Sequence, residues 1–353
     1  MSKKKNDSDM AGNEVTAGVT IYDLAENLGV SASTVSRALS GSPKVGEKTR
    51  QRVLEAARAA NYMVNTAART LRQGKARTVE VVFPLAAVGR RQISEPFYVD
   101  MLAVISEELT RRNYDLLLFN TVPWMRDNAS QSNRVDGMIM IGGQGHEHEA
   151  INKFAASYQN LVVWGAKVKG QQYLTVGSDN ITGGRIAAEH IISLGHKKIA
   201  YFGDPMEPEM EQRREGFFQV MAEAGLKVDP SLLFRVPFDA RGAKIAAQAA
   251  VASGRHFDAA ICGSDVIALN VMDVLKSAGR KVPDDVSVIG YDDISLAYSY
   301  GQKLTTICQH IPVGGSLLVD MLFSLISGED IAPVTIPPTL KIRESCGVQR
   351  RRQ

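Results

Sequence analysis

The stretch VTIYDLAENLGVSASTVSRALSG, residues 19–41, sets two short apolar periods on either side of a glycine. Thr20 is placed to N-cap a helix in which Ile21, Leu24, Ala25 and Leu28 share one face. Asp23 at the third position suits the positive helix end, and Gly29 stops the helix. Ser31 stands as a second N-cap, and Val35, Ala38 and Leu39 form the buried side of the next helix, which ends before Gly41. Its opposite face carries Ala32, Ser33, Ser36 and Arg37. These small or hydrogen-bonding groups let a backbone approach the floor of a groove while one long arginine reaches a guanine edge. The same spacing also fits a generic pair of helices with a solvated outer face. A third helix is predicted from about 47 to 60, with Val53, Leu54, Ala57 and Ala60 turned inward. Three such helices bury too little apolar surface to be very stable alone.

Outward from this stretch, the 353-residue chain is longer than one hydrophobic core usually fills. With 44% apolar and 22% charged residues it reads as two or three folded domains rather than a disordered or fibrous chain. Cys262, Cys308 and Cys346 are few and widely spaced, with no metal or redox spacing, which suits a reducing cytoplasm. Residues 1–18 lack the apolar core of a secretory signal and read as a disordered leader, and no run is long enough to span a membrane. The formal charge of +3 is unevenly spread. Residues 1–76 hold 12 Lys and Arg against 7 Asp and Glu, and the remainder 29 against 31. The front of the chain is therefore the face for a polyanion.

Behind the three helices runs NTAARTLRQGKART, residues 65–78. Asn65, Ala68 and Leu71 make one narrow stripe on a segment far shorter than an isolated helix needs in water, so it is expected to order only when something docks on it. Its basic flanks, Arg69, Arg72, Lys75 and Arg77, point to phosphate.

From Thr78 onward, apolar runs alternate with amphipathic segments. TVEVVFP, DLLLFN, DGMIMIG, LVVWG and YLTVGSD read as strands of a first lobe, and KIAYFGD, LLFRV, DAAICGSD and VSVIGYDD as strands of a second. Helices are expected between them, for example over 182–194, 210–224 and 265–278. Continuous apolar strands separated by helices mean parallel sheets covered on both faces. The expected class is α/β, a three-helix headpiece followed by two doubly wound lobes with a cleft between them. In such sheets ligands sit beyond the carboxyl ends of strands, where Asp292, Ser264 with Asp265, and Arg213 fall. A carboxylate, a hydroxyl and a bidentate arginine suit a polyol. Phe97, Tyr98, Trp164 and Phe238 are candidate apolar faces for a sugar ring. Each has a plainer alternative: Asp292 and Asp265 as helix N-caps, Arg213 as a surface ion pair, the aromatics as core.

The headpiece and hinge, together with VGSDNITGGRIAAEHIISLGHKKIAYFGD, RREGF, VPDDVSVIGYDDI, LTTICQ and TLKIRES, resemble the LacI/GalR family of regulators over residues 19–346. The resemblance implies a helix-turn-helix that enters a major groove, and lobes of the periplasmic-binding-protein type. Ala32 and Ser33 would vary with operator sequence, with Thr34, Ser36 and Arg37 beside them. Thr20, Tyr22 and Ser31 would contact phosphate, and Leu71 would wedge into the minor groove with Ala68 beneath it; a plain apolar contact is the other reading of Leu71. It also implies a pseudo-palindromic operator in double-stranded DNA, a homodimer, and a small sugar-like effector contacting Arg213 and Asp292. The domains would be a leader 1–18, headpiece 19–63, hinge 64–76, a first lobe 77–176 plus 308–337, a second lobe 177–307 plus 338–346, and a basic tail 347–353. Three departures stand out: Gly46 where serine is common, Trp164 and Gly165 where many relatives carry an aspartate, and Ser264 where asparagine is frequent. The second suggests that ring stacking replaces one polar anchor. Arg90 and Arg91 in the long segment 85–101 lie near the expected cleft mouth, where they are either solvated or fitted to an anionic or larger saccharide.

No catalytic constellation is found: GGQGHEH, residues 142–148, lacks the third glycine of a dinucleotide fingerprint, and there is no Walker A sequence or nucleophile elbow. His146 and His148 are expected on a loop. No cofactor, metal or membrane partner is expected, and the reading is of a DNA-binding repressor of carbohydrate genes rather than an enzyme. The alternatives are a solute-binding module with an incidental helical leader, or a nucleobase-responsive regulator of the same fold. A transport receptor would need a signal peptide, whereas a regulator needs the basic headpiece.

Overall fold

The first helix, α1 (Ile21–Leu28), starts on a reciprocal cap. The Thr20 hydroxyl accepts from the Asp23 amide, and the Asp23 carboxylate accepts from the Thr20 amide at 2.7 Å. Gly29 takes φ +64 and ends the helix. Ser31 caps α2 (Ala32–Leu39), and Gly46, with no side chain to offer, starts α3 (Glu47–Ala59). Leu24, Ala25, Val35, Ala38, Val45, Val53 and Ala57 close into one small core. Arg50 ties the α2–α3 loop by donating to the carbonyls of Ser42 and Val45. This computed structural model describes residues 19–62, 76–84, 93–122, 124, 135–237, 239–299 and 301–347. The expected leader, the hinge with Asn65, Ala68 and Leu71, the pair Arg90 and Arg91, Phe238, and the tail beyond Gly347 lie outside the described residues. Residues 1–74 form one compact unit and 75–353 a second.

In the second unit the elements run β1 (Thr78–Val82), α4 (Pro96–Arg111), β2 (Asp115–Phe119), β3 (Gly137–Ile141), α5 (Gln144–Ser157), β4 (Leu161–Trp164), β5 (Leu174–Ser178) and α6 (Asn180–Ser193). They continue through β6 (Ile199–Phe202), α7 (Pro208–Glu223), β7 (Leu233–Phe234), α8 (Ala240–Ala252), β8 (Ala259–Cys262), α9 (Asp265–Ser277) and β9 (Ser287–Asp292). The chain then forms α10 (Leu296–Ser299), β10 (Thr305–Cys308), α11 (Ile311–Ile326), β11 (Val334–Ile336) and β12 (Thr339–Lys341). Two six-stranded sheets result, in orders β11-β5-β4-β3-β1-β2 and β12-β10-β9-β8-β6-β7. All pairings are parallel except β10 with β12. Parallel strands need helical crossovers, so both sheet faces are covered and the inner strands are apolar throughout, as in GMIMI and LVVW.

The chain passes between the sheets after β5, after β10 and after β11. At the first passage Asp179 caps α6 and its amide donates to the Ile336 carbonyl, which ties two of the passages together. The nine expected strands are all observed, with one difference in burial, and the short β10, β11 and β12 were not among those expected. DLLLF forms β2, the outer strand of its sheet among the described residues, where Leu117 and Leu118 remain 40% and 42% exposed. The histidine-bearing segment also differs from expectation. Gly143, at φ +91, opens α5, so His146 and His148 are helical, and His148 Nδ1 lies 2.9 Å from the Tyr173 hydroxyl. Among the described residues no helix is long and apolar enough to cross a membrane.

Candidate functional site

On the headpiece, the side chains singled out in the sequence fall at the start and along the outer face of α2. The Ser31 hydroxyl accepts from the Thr34 amide at 3.1 Å and lies 2.8 Å from the hydroxyls of Ser33 and Thr34. This gives a short row of hydroxyls at the positive end of a helix, a suitable surface for phosphate oxygens. Ser33 and Arg37 are exposed, while Ala32, Thr34 and Ser36 are half-buried against the core. Tyr22 is 74% exposed although aromatic, which leaves its ring and hydroxyl free of the core. Thr20 is exposed, with its hydroxyl engaged in the cap.

In the larger unit, a cavity of about 50 Å³ lies between the two sheets at the carboxyl ends of their strands. Phe97 and Tyr98 from the first turn of α4, Gly142 after β3 and Trp164 at the end of β4 line one side. Glu207, Glu209, Met210 and Arg213 from the start of α7, with Asp292 and Gln309, line the other. Phe97 packs at 5.7 Å from Tyr98 and 6.1 Å from Trp164, so the three rings form one wall. The two lobes also touch around the cavity. Ser295 donates its amide to Asp100, Gln212 donates to the Lys167 carbonyl, and His146 lies 3.8 Å from Glu207.

Arg213 is 5% exposed and held on several sides. Its Nε donates to Asn180 Oδ1 at 2.9 Å, an Nη donates to the Gly263 carbonyl, and the guanidinium lies 3.6 Å over the Tyr291 ring. Asp292 is 1% exposed and accepts from Gln309 at 2.6 Å through Oδ1, 3.8 Å from Arg213, while Oδ2 has no hydrogen-bond partner. Burial pushes its carboxyl up to about 7, with Arg213 pulling the other way. Asp292 and Asp293 take φ +127 and +61, conformations that L-residues adopt only under constraint, and they aim the β9 carboxylate at the cleft. Asp265 is not an N-cap. It sits fully buried, accepting from the Thr306 hydroxyl and the Ile294 amide, and burial together with the Asp292 charge raises its carboxyl well above the usual range.

The structure thus brings Phe97, Tyr98, Trp164, Arg213 and Asp292 around one cavity. Ser264 does not line it: its hydroxyl N-caps α9 by accepting from the Ile267 amide, and the residue is fully buried. Glu207, Glu209 and Gln309 were missed, because EPEMEQRR reads as an ordinary polar helix start and nothing in its spacing tells which side faces a cleft. Beside Trp164, a Cβ on Gly165 would sit 2.0 Å from Gln144 Oε1 and 3.1 Å from Glu209 Oε1, so the missing side chain makes room first for the Gln144 amide and then for a carboxylate from the opposite lobe. Among the described residues no cluster of His, Cys, Asp and Glu is arranged to hold a metal.

Residues 20–65 match the model of bacterial regulatory proteins of the lacI family, and residues 188–346 that of the periplasmic binding protein-like domain. The HTH-type transcriptional regulator DegA of Bacillus subtilis is 30% identical over 337 residues, covering 92% of this chain and 97% of DegA. The chain belongs to the lacI family of bacterial regulatory proteins. Two solved structures place this lacI-family chain in space. The lac repressor dimer bound to operator and the anti-inducer ONPF superposes with a TM-score of 0.79 at 23% identity, over 93% of this chain and 99% of that one. The complex of the transcriptional regulator CelR with cellobiose superposes with a TM-score of 0.66 at 26% identity, over the same shares. The DNA-binding headpiece and the periplasmic-binding-type lobes are therefore those of a family of transcriptional regulators.

Proposed function

We propose that this chain is a repressor that binds a pseudo-palindromic operator as a homodimer and is controlled by a small hydroxylated effector in the inter-lobe cleft, with no catalytic turnover. The observation that carries the reading is the pairing of two features on one chain: the hydroxyls of Ser31, Ser33 and Thr34 with the exposed Arg37 on a packed helical core, and an inter-lobe cleft whose buried Asp292 keeps one oxygen unpaired. One short helix touches few base pairs, and two-fold doubling of the headpiece supplies the rest of the site. Ser33 and Ala32 read base edges, Thr20, Tyr22 and Ser31 fix register on phosphate, and Leu71, outside the described residues, serves as the minor-groove wedge. A carbohydrate effector is supported by the aromatic wall, the polar groups opposite it, and the relative CelR solved with cellobiose. The protein acts in the cytoplasm, where its DNA is.

A salt titration and one variant test this reading together. With about 6 to 10 phosphates contacted, operator affinity falls roughly 10³- to 10⁵-fold between about 50 and 200 mM salt. Arg213→Ala abolishes the effector response, a change of about 5- to 150-fold in operator affinity, and leaves operator binding itself in place. A flat salt response, or loss of both properties in a folded variant, refutes the assignment.

A further inference from the structure

We infer that the ligand of this cleft carries a protonated amine on a hydroxylated ring, an amino sugar in chemical class, with the ammonium held among Glu207, Glu209 and Asp292. The inference rests on reading the cleft as the effector site and goes beyond it in fixing the charge of the ligand.

Three carboxylates border a cavity of about 50 Å³ that holds a single guanidinium. Arg213 is partly committed within the protein: its Nε and one Nη donate to Asn180 and Gly263, and its face is covered by Tyr291, which leaves the second Nη as its available donor. Asp292 Oδ2 is an acceptor without a donor on a residue 1% exposed, a condition folded proteins rarely leave uncorrected unless something else fills it. The unsatisfied buried atom on the cavity lining is thus an acceptor, and a ligand that satisfies it brings a donor.

The aromatic wall is neutral: Phe97 meets Tyr98 edge-on at 68° and Trp164 at 44°, so it offers apolar surface for a sugar ring, and the charge preference comes from the carboxylates opposite. An ammonium offers three donors and a positive charge at once, whereas a phosphorylated or carboxylated sugar would bring a further negative charge against two glutamates and an aspartate. The raised carboxyl of Asp292 fits the same account, since a neighbouring ammonium would stabilise its ionised form.

The test is calorimetric titration of the full chain with matched probes: glucose, glucosamine and glucose 6-phosphate, then galactose, galactosamine and galactose 6-phosphate. At least one amine is expected to bind about tenfold more tightly than its parent sugar, with the phosphates weakest. Glu209→Gln and Glu207→Gln, with melting temperatures checked, are each expected to erase most of that preference. No preference for either amine, absence of amine binding included, overturns the inference. So does tighter binding of a phosphate, or a preference that survives both glutamine variants. Operator release in the presence of the same probes separates the two readings. Amine-selective binding without any change in operator affinity removes the effector role and leaves the charge assignment, while release by a neutral sugar alone does the reverse.

Discussion

Asp292 concentrates several costs in one residue: a carboxylate with 1% exposure, a backbone at φ +127, and an oxygen with no donor. Burial raises its carboxyl from 3.8 to about 7, Arg213, the Asp265 backbone amide and the Gln309 amide oppose the rise, and Glu95 adds to it. The folded state thus holds the proton more tightly than the unfolded state, so stability is greatest below about pH 4 for this group and declines as pH rises towards 7. Asn cannot ionise. The stability of the parent chain relative to Asp292→Asn is therefore expected to fall between about pH 4 and 7, by on the order of a few kcal/mol, and to level off above. Denaturant titrations of both proteins across that range measure it, and a difference that is constant with pH would show that Asp292 is ionised throughout.

At the scale of elements, the position of Arg213 depends on how closely two helices approach. A Cβ on Gly184 in α6 would lie 2.0 Å from the Arg213 carbonyl, and one on Gly216 in α7 would lie 2.2 Å from the Ile181 carbonyl. Both neighbours are backbone and cannot swing aside, so Gly184→Ala is expected to cost about 1 to 3 kcal/mol and to weaken ligand binding by displacing α7. Unchanged melting and binding would show that the helices separate without consequence. In the headpiece, exchanging Ala32 and Ser33 for other small polar residues is expected to alter which operator is preferred while leaving non-specific binding within about a factor of a few. Selection from a randomised operator library reads the outcome, and an unaltered consensus would take both residues out of base recognition.

These elements also show what the sequence discloses. Caps at Thr20 and Ser31 and the period of Leu24, Val35 and Val53 were legible because they act within a turn or two of chain. Strands β1 to β9 were legible from apolar runs, whereas β10, β11 and β12, short and rich in threonine, were not. The roles of Ser264 and of α5 were not. A serine before a helix and a histidine pair after glycines look alike whether they cap, pack or bind, and only the tertiary neighbours decide. Glu207 and Glu209 were illegible for a related reason, since their partner surface at Trp164 and Gly165 is more than forty residues away in the chain and in the other lobe.

For the molecule as a whole, each sheet borrows from the far end of the chain. β11 pairs with β5 in one sheet and β12 with β10 in the other, while Ser345 is sealed between Val288 and Thr305 with no exposure. Removal of residues after 326 strips an outer strand from each sheet in one cut, and neither lobe is expected to give a cooperative thermal transition. A single sharp transition in such a truncation would mean that one lobe is self-sufficient. The same interleaving bears on biosynthesis. On the ribosome the headpiece emerges first, but neither lobe is complete until β11, β12 and Ser345 have been made. A nascent chain thus carries its helix-turn-helix well before either wall of the cleft is finished.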